Sequence, residues 1–203
     1  KNKPEAIKKM EELASKGSNI SVCALPSRYP QGGEKVLVYS TTGRKIGAGK
    51  LPIDVGCVVC NCTTLAEIGK YLKTGIPLVE KVVTVSGDAI ENPQNVIAPI
   101  GAPIKDVFEF CGIKTEIAKA LYGGPMMGMC LYDTDQSVTK STNAILAFKE
   151  GKLPETTACI RCGRCVKACP LNLMPLMIEK AYNAKDVDEL KRLKVMLCMN
   201  CGC

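Results

Sequence analysis

Residues 159–170 read CIRCGRCVKACP, placing Cys159, Cys162, Cys165 and Cys169 in the spacing C-x2-C-x2-C-x3-C before Pro170. Two-residue gaps let three thiolates of one tight loop turn toward a common point, while Gly163 relaxes the backbone and Pro170 redirects it after the fourth thiol. This is the spacing of a cubane iron-sulfur ligand loop, in which the fourth cysteine serves a second cluster when two are present. Tetrahedral zinc draws instead on two separated pairs. A second run, CMNCGC, sets Cys198 and Cys201 in C-x2-C spacing, and the same interval would put a third ligand one residue past Cys203. The expected arrangement is reciprocal: Cys159, Cys162 and Cys165 hold one [4Fe-4S] cluster, and Cys169, Cys198 and Cys201 supply three ligands to another. Cys203 falls between ligand positions and is expected to be a free thiol.

The chain has 13 Cys and no His among 203 residues. Without imidazole, Cys2His2 zinc, Rieske ligation, His-ligated haem and His-dependent catalytic triads are all excluded, leaving thiolate chemistry. No secretion signal stands at the front, so the thiols are expected to serve metal in a reducing cytoplasm rather than a disulfide framework. Net charge is +7, yet Lys and Arg are interspersed with acids and aromatics make up 4%, which is a poor footprint for nucleic acid. No apolar run approaches the roughly 20 residues that span a bilayer. The sequence opens on Lys1 rather than Met and closes inside a cysteine run, as a piece of a longer protein would.

Three regions differ in pattern. In the first, PEAIKKMEELASK (4–16) has helical spacing behind Pro4, and Glu34 opens a further helix after Gly32 and Gly33. DVGCVVCNC (54–62) reads as a buried strand and TTLAEIGKYLKTG as the helix after it, an alternation that suggests an α/β unit. Cys57, Cys60 and Cys62 are then packing thiols of that strand rather than metal ligands, and Cys23, Cys111 and Cys130 are isolated packing residues. In the second region VVTVSGD and NVIAPIG read as strands, PIKDVFEFC as a helix, GGPMMG as a tight turn with its methionines in the core or, alternatively, as the loop of a ligand site, and AILAF as a strand. This is the inventory of a small α+β domain such as a β-grasp. The third region, from about Pro154, is expected to be helical around the metal, with Asp186 capping a helix that carries Glu189 at its third position. Arg161, Arg164 and Lys167 are expected either to offset cluster charge there or to form a solvated loop face, and Ile160, Val166, Leu173 and Met174 to exclude water or to pack as ordinary core.

The stretches NKPEAI, RYPQGGEKVLVYSTTGR, GKLPIDVG, PLVEKVVTVSG and GGPMMG, together with CIRCGRCVKACP, resemble the C-subunit family of Rnf electron-transport complexes along essentially the whole chain. That family is similar in turn to the flavoprotein subunit of respiratory NADH dehydrogenase. The resemblance implies an α/β plus α+β fold in three parts: the C-terminal half of a Rossmann-like FMN and NADH domain (1–78), a β-grasp domain of the soluble-ligand-binding type (79–152), and a helical ferredoxin-type domain with two [4Fe-4S] clusters (153–203). It also implies an electron-transfer role between NAD(H), FMN and the clusters. The setting would be a ferredoxin:NAD oxidoreductase coupled to Na+ or H+ movement, peripheral on the cytoplasmic face of the bacterial membrane. Other subunits of the complex and NAD(H) would be partners, with ferredoxin reached indirectly. By position in the motif, Gly32, Gly33 and Glu34 fall near flavin and nucleotide, and Asn61 matches an asparagine near the flavin. The glycine-rich flavin loop expected upstream is absent from the sequence. Two other readings compete: a flavin and iron-sulfur cobalamin reductase of a microcompartment, and a zinc-stabilised interaction module.

Overall fold

A computed structural model describes residues 3–17, 19–151 and 155–202. The chain divides into two compact units, one built from residues up to Val59 together with Cys159–Cys201, the other from Cys60–Ala158.

The first unit is helical. Helix α1 (Pro4–Lys16) starts on Pro4, whose missing N–H costs nothing in a first turn, and it buries no residue. Helix α2 (Glu34–Thr42) buries Val38 and ends on Gly43 in the left-handed region. A 3-10 turn, Pro52–Val55, follows. After the intervening unit come α5 (Arg164–Ala168), α6 (Pro175–Asn183), α7 (Val187–Arg192) and a 3-10 turn, Val195–Leu197. Asp186 caps α7 as its spacing predicts, its Oδ1 accepting from the Glu189 N–H at 2.9 Å. Among the described residues the buried apolar side chains of this unit are Pro30, Val38, Ile46, Leu173, Ala181 and Cys201, a thin core for so much chain.

The second unit begins with α3 (Cys62–Thr74), capped by Asn61, and continues into a five-stranded sheet. Its strands are β1 (Glu80–Ser86), β2 (Gln94–Pro99), β3 (Lys119–Tyr122), β4 (Met129–Cys130) and β5 (Ala144–Phe148), in the order β2-β1-β5-β3-β4. β1 pairs antiparallel with β2 and parallel with β5, and β3 is antiparallel to both β5 and β4. Helix α4 (Ile104–Cys111) lays Ile104, Val107, Phe108 and Cys111 against this sheet, meeting Val83, Val85, Ile90, Ile145 and Ala147 in one continuous core. Phe108 is fully buried. Gly87 ends β1 at φ +122, where a Cβ would overlap the Ala147 carbonyl oxygen, so glycine is demanded by both conformation and space.

Four expectations are corrected. Residues 54–62 form no buried strand: the chain makes the 3-10 turn and then runs irregularly, with Val58 77% exposed. Pro52 starts that turn, Gly56 breaks it at φ +70, and the Arg44 guanidinium donates to the Val55 and Gly56 carbonyls at 2.7 and 3.2 Å, taking acceptors a ladder would use. Residues 3–79 are consequently helical and irregular among those described, without the strand that an α/β alternation requires. Cys23, Cys60, Cys62 and Cys130 are exposed rather than packed, Cys130 because it lies on the two-residue edge strand β4, and Cys57 is half-buried; Cys111 is buried as expected. The GGPMMG segment is a tight turn between β3 and β4, closed by Gly128 N–H to the Gly124 carbonyl at 2.7 Å, but Met126 and Met127 point outward.

Candidate iron-sulfur site

The two cysteine runs adopt one backbone design. In the first, Arg161 takes a left-handed conformation at φ +56, and its N–H donates to the Cys159 Sγ at 3.4 Å. In the second, Asn200 takes the same conformation at φ +52, and its N–H donates to the Cys198 Sγ at 3.4 Å. Each run then passes through its next cysteine to a left-handed glycine, Gly163 at φ +72 and Gly202 at φ +77. Non-glycine residues rarely occupy this region, and its repetition at matching positions marks a loop shaped for a purpose. The repeat C-x-x-C-G at both sites is the sequence signal that carries it.

Cys169, after the first run, shows the same aim by another route. Asn172 turns left-handed at φ +54 and the Leu173 N–H donates to the Cys169 Sγ at 3.3 Å, with Leu173 buried beneath. Main-chain N–H groups pointed at cysteine sulfurs stabilise thiolates and tune the charge that a cluster places on them. The donor set therefore fits iron-sulfur ligation in its chemistry: thiols at cubane spacing, with main-chain N–H groups aimed at three of the sulfurs. Among the described residues, no three Cys, Asp or Glu side chains converge as ligands of one metal ion do. A cubane binds each thiolate through a different iron, so its ligands need not meet at one point.

The surroundings are mixed. Arg161, Arg164 and Lys167 are exposed, where they contribute positive potential beside the first run. Leu173 is buried and Val166 half-buried, but Ile160 is 85% exposed and Met174 45%, so two of the four apolar residues expected to exclude water do not. Of the six cysteines that the spacing nominates as ligands, Cys201 is buried, Cys165 and Cys169 are intermediate, and Cys159, Cys162 and Cys198 are exposed. Cys203 lies outside the described residues.

The positions that the resemblance puts near flavin are distributed differently. Gly32, Gly33 and Glu34 belong to the unit that carries the cysteine runs, whereas Asn61 belongs to the other. Gly32 and Glu34 are exposed, and Glu34 opens α2. A side chain on Gly33 would have to displace the Met199 methyl, which occupies that space. The Asn61 side chain accepts from the Thr63 N–H at 2.9 Å and caps α3, a role that any capping residue fills. Cys57 sits beside Arg44, with the guanidinium 3.8 Å from its sulfur.

This combination of paired cysteine loops in a small helical unit with a mixed-sheet domain is that of an iron-sulfur electron carrier. Comparison with known families agrees in order along the chain: residues 1–70 match the Nuo51 FMN-binding domain, 82–129 the SLBB domain, and 153–203 the 4Fe-4S dicluster domain. The C subunit of the proton-translocating ferredoxin:NAD(+) oxidoreductase complex of Clostridium ljungdahlii is 43% identical over 180 residues, covering 87% of this chain and 39% of that protein. The Na(+)-translocating counterpart of Acetobacterium woodii is 40% identical over 92% of this chain and 42% of its own length. The C subunit of the ion-translocating oxidoreductase complex of Vibrio cholerae is 34% identical over 95% of this chain and 25% of its own. The chain belongs to this family of C subunits and spans less than half the length of these relatives.

Proposed function

We propose that this chain is the part of an electron-transfer subunit that holds two [4Fe-4S] clusters. Cys159, Cys162 and Cys165 would ligate one, and Cys169, Cys198 and Cys201 the other. The observation that carries the reading is the repeated left-handed turn that aims the Arg161 and Asn200 amides at Cys159 and Cys198. When bound, the clusters accept and release single electrons, and FMN exchanges single electrons for the two-electron hydride of NAD(H). The protein's own work is to aim N–H donors at the sulfurs, to set local charge through Arg161, Arg164 and Lys167, and to bury Cys201 from water.

The assembly we propose is a membrane-associated ferredoxin:NAD oxidoreductase coupled to Na+ or H+ translocation. The chain would be peripheral on the cytoplasmic face and bound to the other subunits of the complex. The names of the relatives support this, and no described helix is long and apolar enough to cross a membrane. Residues 1–78 would be part of a Rossmann-like FMN and NADH domain, with the exposed Gly32 and Glu34 as contributions to the nucleotide site. Residues 79–152 would be a β-grasp domain, for which the mixed sheet with α4 across it is the support, and 153–203 the ferredoxin-type domain.

Anaerobic purification of the full-length protein, with iron and acid-labile sulfide assays and EPR of the reduced form, tests the reading. About eight iron and eight sulfide per chain with interacting cluster signals support it, and stoichiometric zinc without sulfide refutes it.

A further inference from the structure

The turn before α2 also reaches into the second cysteine run. Pro30 is buried, and the Gly33 N–H donates to its carbonyl at 2.8 Å, closing residues 30–33 into a compact turn. Two contacts leave that turn in the same direction. The Tyr29 hydroxyl donates to the Cys201 main-chain carbonyl, 172 residues away in sequence. The Met199 methyl occupies the space that a side chain on Gly33 would need. Met199 lies between Cys198 and Cys201, and Tyr29 reaches Cys201 itself, which is 8% exposed; Cys198, Cys159 and Cys162 are exposed.

We propose that Tyr29 is a positioning residue for the cluster held by Cys198 and Cys201, and that Gly33 serves it by leaving room for Met199. The inference rests on the iron-sulfur reading above. A hydroxyl pinned to the Cys201 carbonyl fixes the orientation of that peptide, and Met199 seated on Gly33 helps keep the Cys201 end of the loop closed against water. A reduced cubane carries one more negative charge than the oxidised one, and water favours that charge. Sealing this loop therefore holds the cluster potential down, and loosening it lets the potential rise.

Potentiometric EPR titration of the full-length protein, purified anaerobically, tests this with Tyr29→Phe. Tyr29 is 52% exposed, so removing its hydroxyl leaves no sealed cavity. The expected result is unchanged iron and sulfide content, a raised midpoint potential for one cluster, and an unmoved potential for the other. The signal that moves is assigned to the second run by its loss or alteration in Cys198→Ser. Gly33→Ala, which must push Met199 aside, is expected to raise the same potential and serves should Tyr29→Phe fold poorly. An unmoved or lowered potential in these variants, or equal shifts of both clusters, overturns the inference while leaving the iron-sulfur reading intact. Wild-type protein without iron and sulfide overturns both, and is distinguished because it is seen before any variant is made.

Discussion

The main-chain N–H of Asn200 points at the Sγ of Cys198 across 3.4 Å, two residues back along the chain and through a left-handed turn. Asn tolerates that conformation better than most residues, whereas a β-branched side chain crowds the neighbouring carbonyl at a cost of about 1–2 kcal/mol. Asn200→Val is therefore expected to misdirect the amide and to speed loss of iron from one cluster to a chelator. Asn200→Gly, which suits the turn, should retain iron as the parent does. Timed iron release, followed by visible absorbance, separates the two.

Gly87 supports a test in the other unit. Its φ of +122 and its approach to the Ala147 main chain, whose carbonyl carbon would lie 2.7 Å from an added Cβ, leave no relaxed place for a methyl. Because the obstacle is backbone at the junction of β1 and β5, Gly87→Ala is expected to destabilise by about 3 kcal/mol or more, at the high end for one substitution. Chemical denaturation followed by circular dichroism reads this. A change within about 0.5 kcal/mol, as for an ordinary surface site, would contradict the packing described.

What the sequence revealed tracks how local each determinant is. The cysteine runs were legible because three-residue spacing fixes which thiols share a loop, α1, α3, α4, β1, β2 and β5 because their residue pattern is local too, and α2 because Gly32, Gly33 and Glu34 mark its start. The segment 54–62 misled for a physical reason: its apolar run looks like a strand, but Pro52, the left-handed Gly56 and the Arg44 guanidinium settle its backbone another way. β3 and β4, at four and two residues, are too short to announce themselves. The placement of Gly33 against Met199 depends on chain brought together from far apart, as does that of Tyr29 against Cys201, and no spacing rule encodes it.

The Asp186 cap offers a modest effect with a clear sign. Its carboxylate accepts the Glu189 N–H at 2.9 Å at the start of a helix of six residues, too short to persist on propensity alone. Asp186→Ala is expected to cost about 1 kcal/mol, and Asp186→Asn to retain most of the stability, because an amide oxygen accepts the same hydrogen bond. The ordering of unfolding midpoints, parent close to Asn and above Ala, is the check.

The last expectation concerns alkaline pH. Burial pushes the Cys111 thiol above its ordinary range, with only partial relief from the Gln94 amide, and burial followed by the Asp133 charge does the same to the Tyr122 phenol. Both groups are neutral when protonated, and both hold the proton more tightly folded than unfolded. Their contribution to stability is thus fully present below the unfolded pKa values and is lost as pH climbs through the folded ones. Lys70 beside Glu80 and Lys105 beside Asp135 are shifted upward by their partners and act in the same direction, but as exposed pairs they add little. The melting temperature should therefore hold near neutrality and fall from about pH 9 upward, where thiols and then phenols ionise. Tyr122→Phe, which gives up the hydrogen bond to the Ser137 carbonyl at 2.7 Å, should melt lower at neutral pH yet decline less steeply with alkali, and Cys111→Ala should do likewise. Melting curves at stepped pH read both quantities, and parallel slopes for parent and variants would show that neither the buried thiol nor the half-buried phenol drives the alkaline loss.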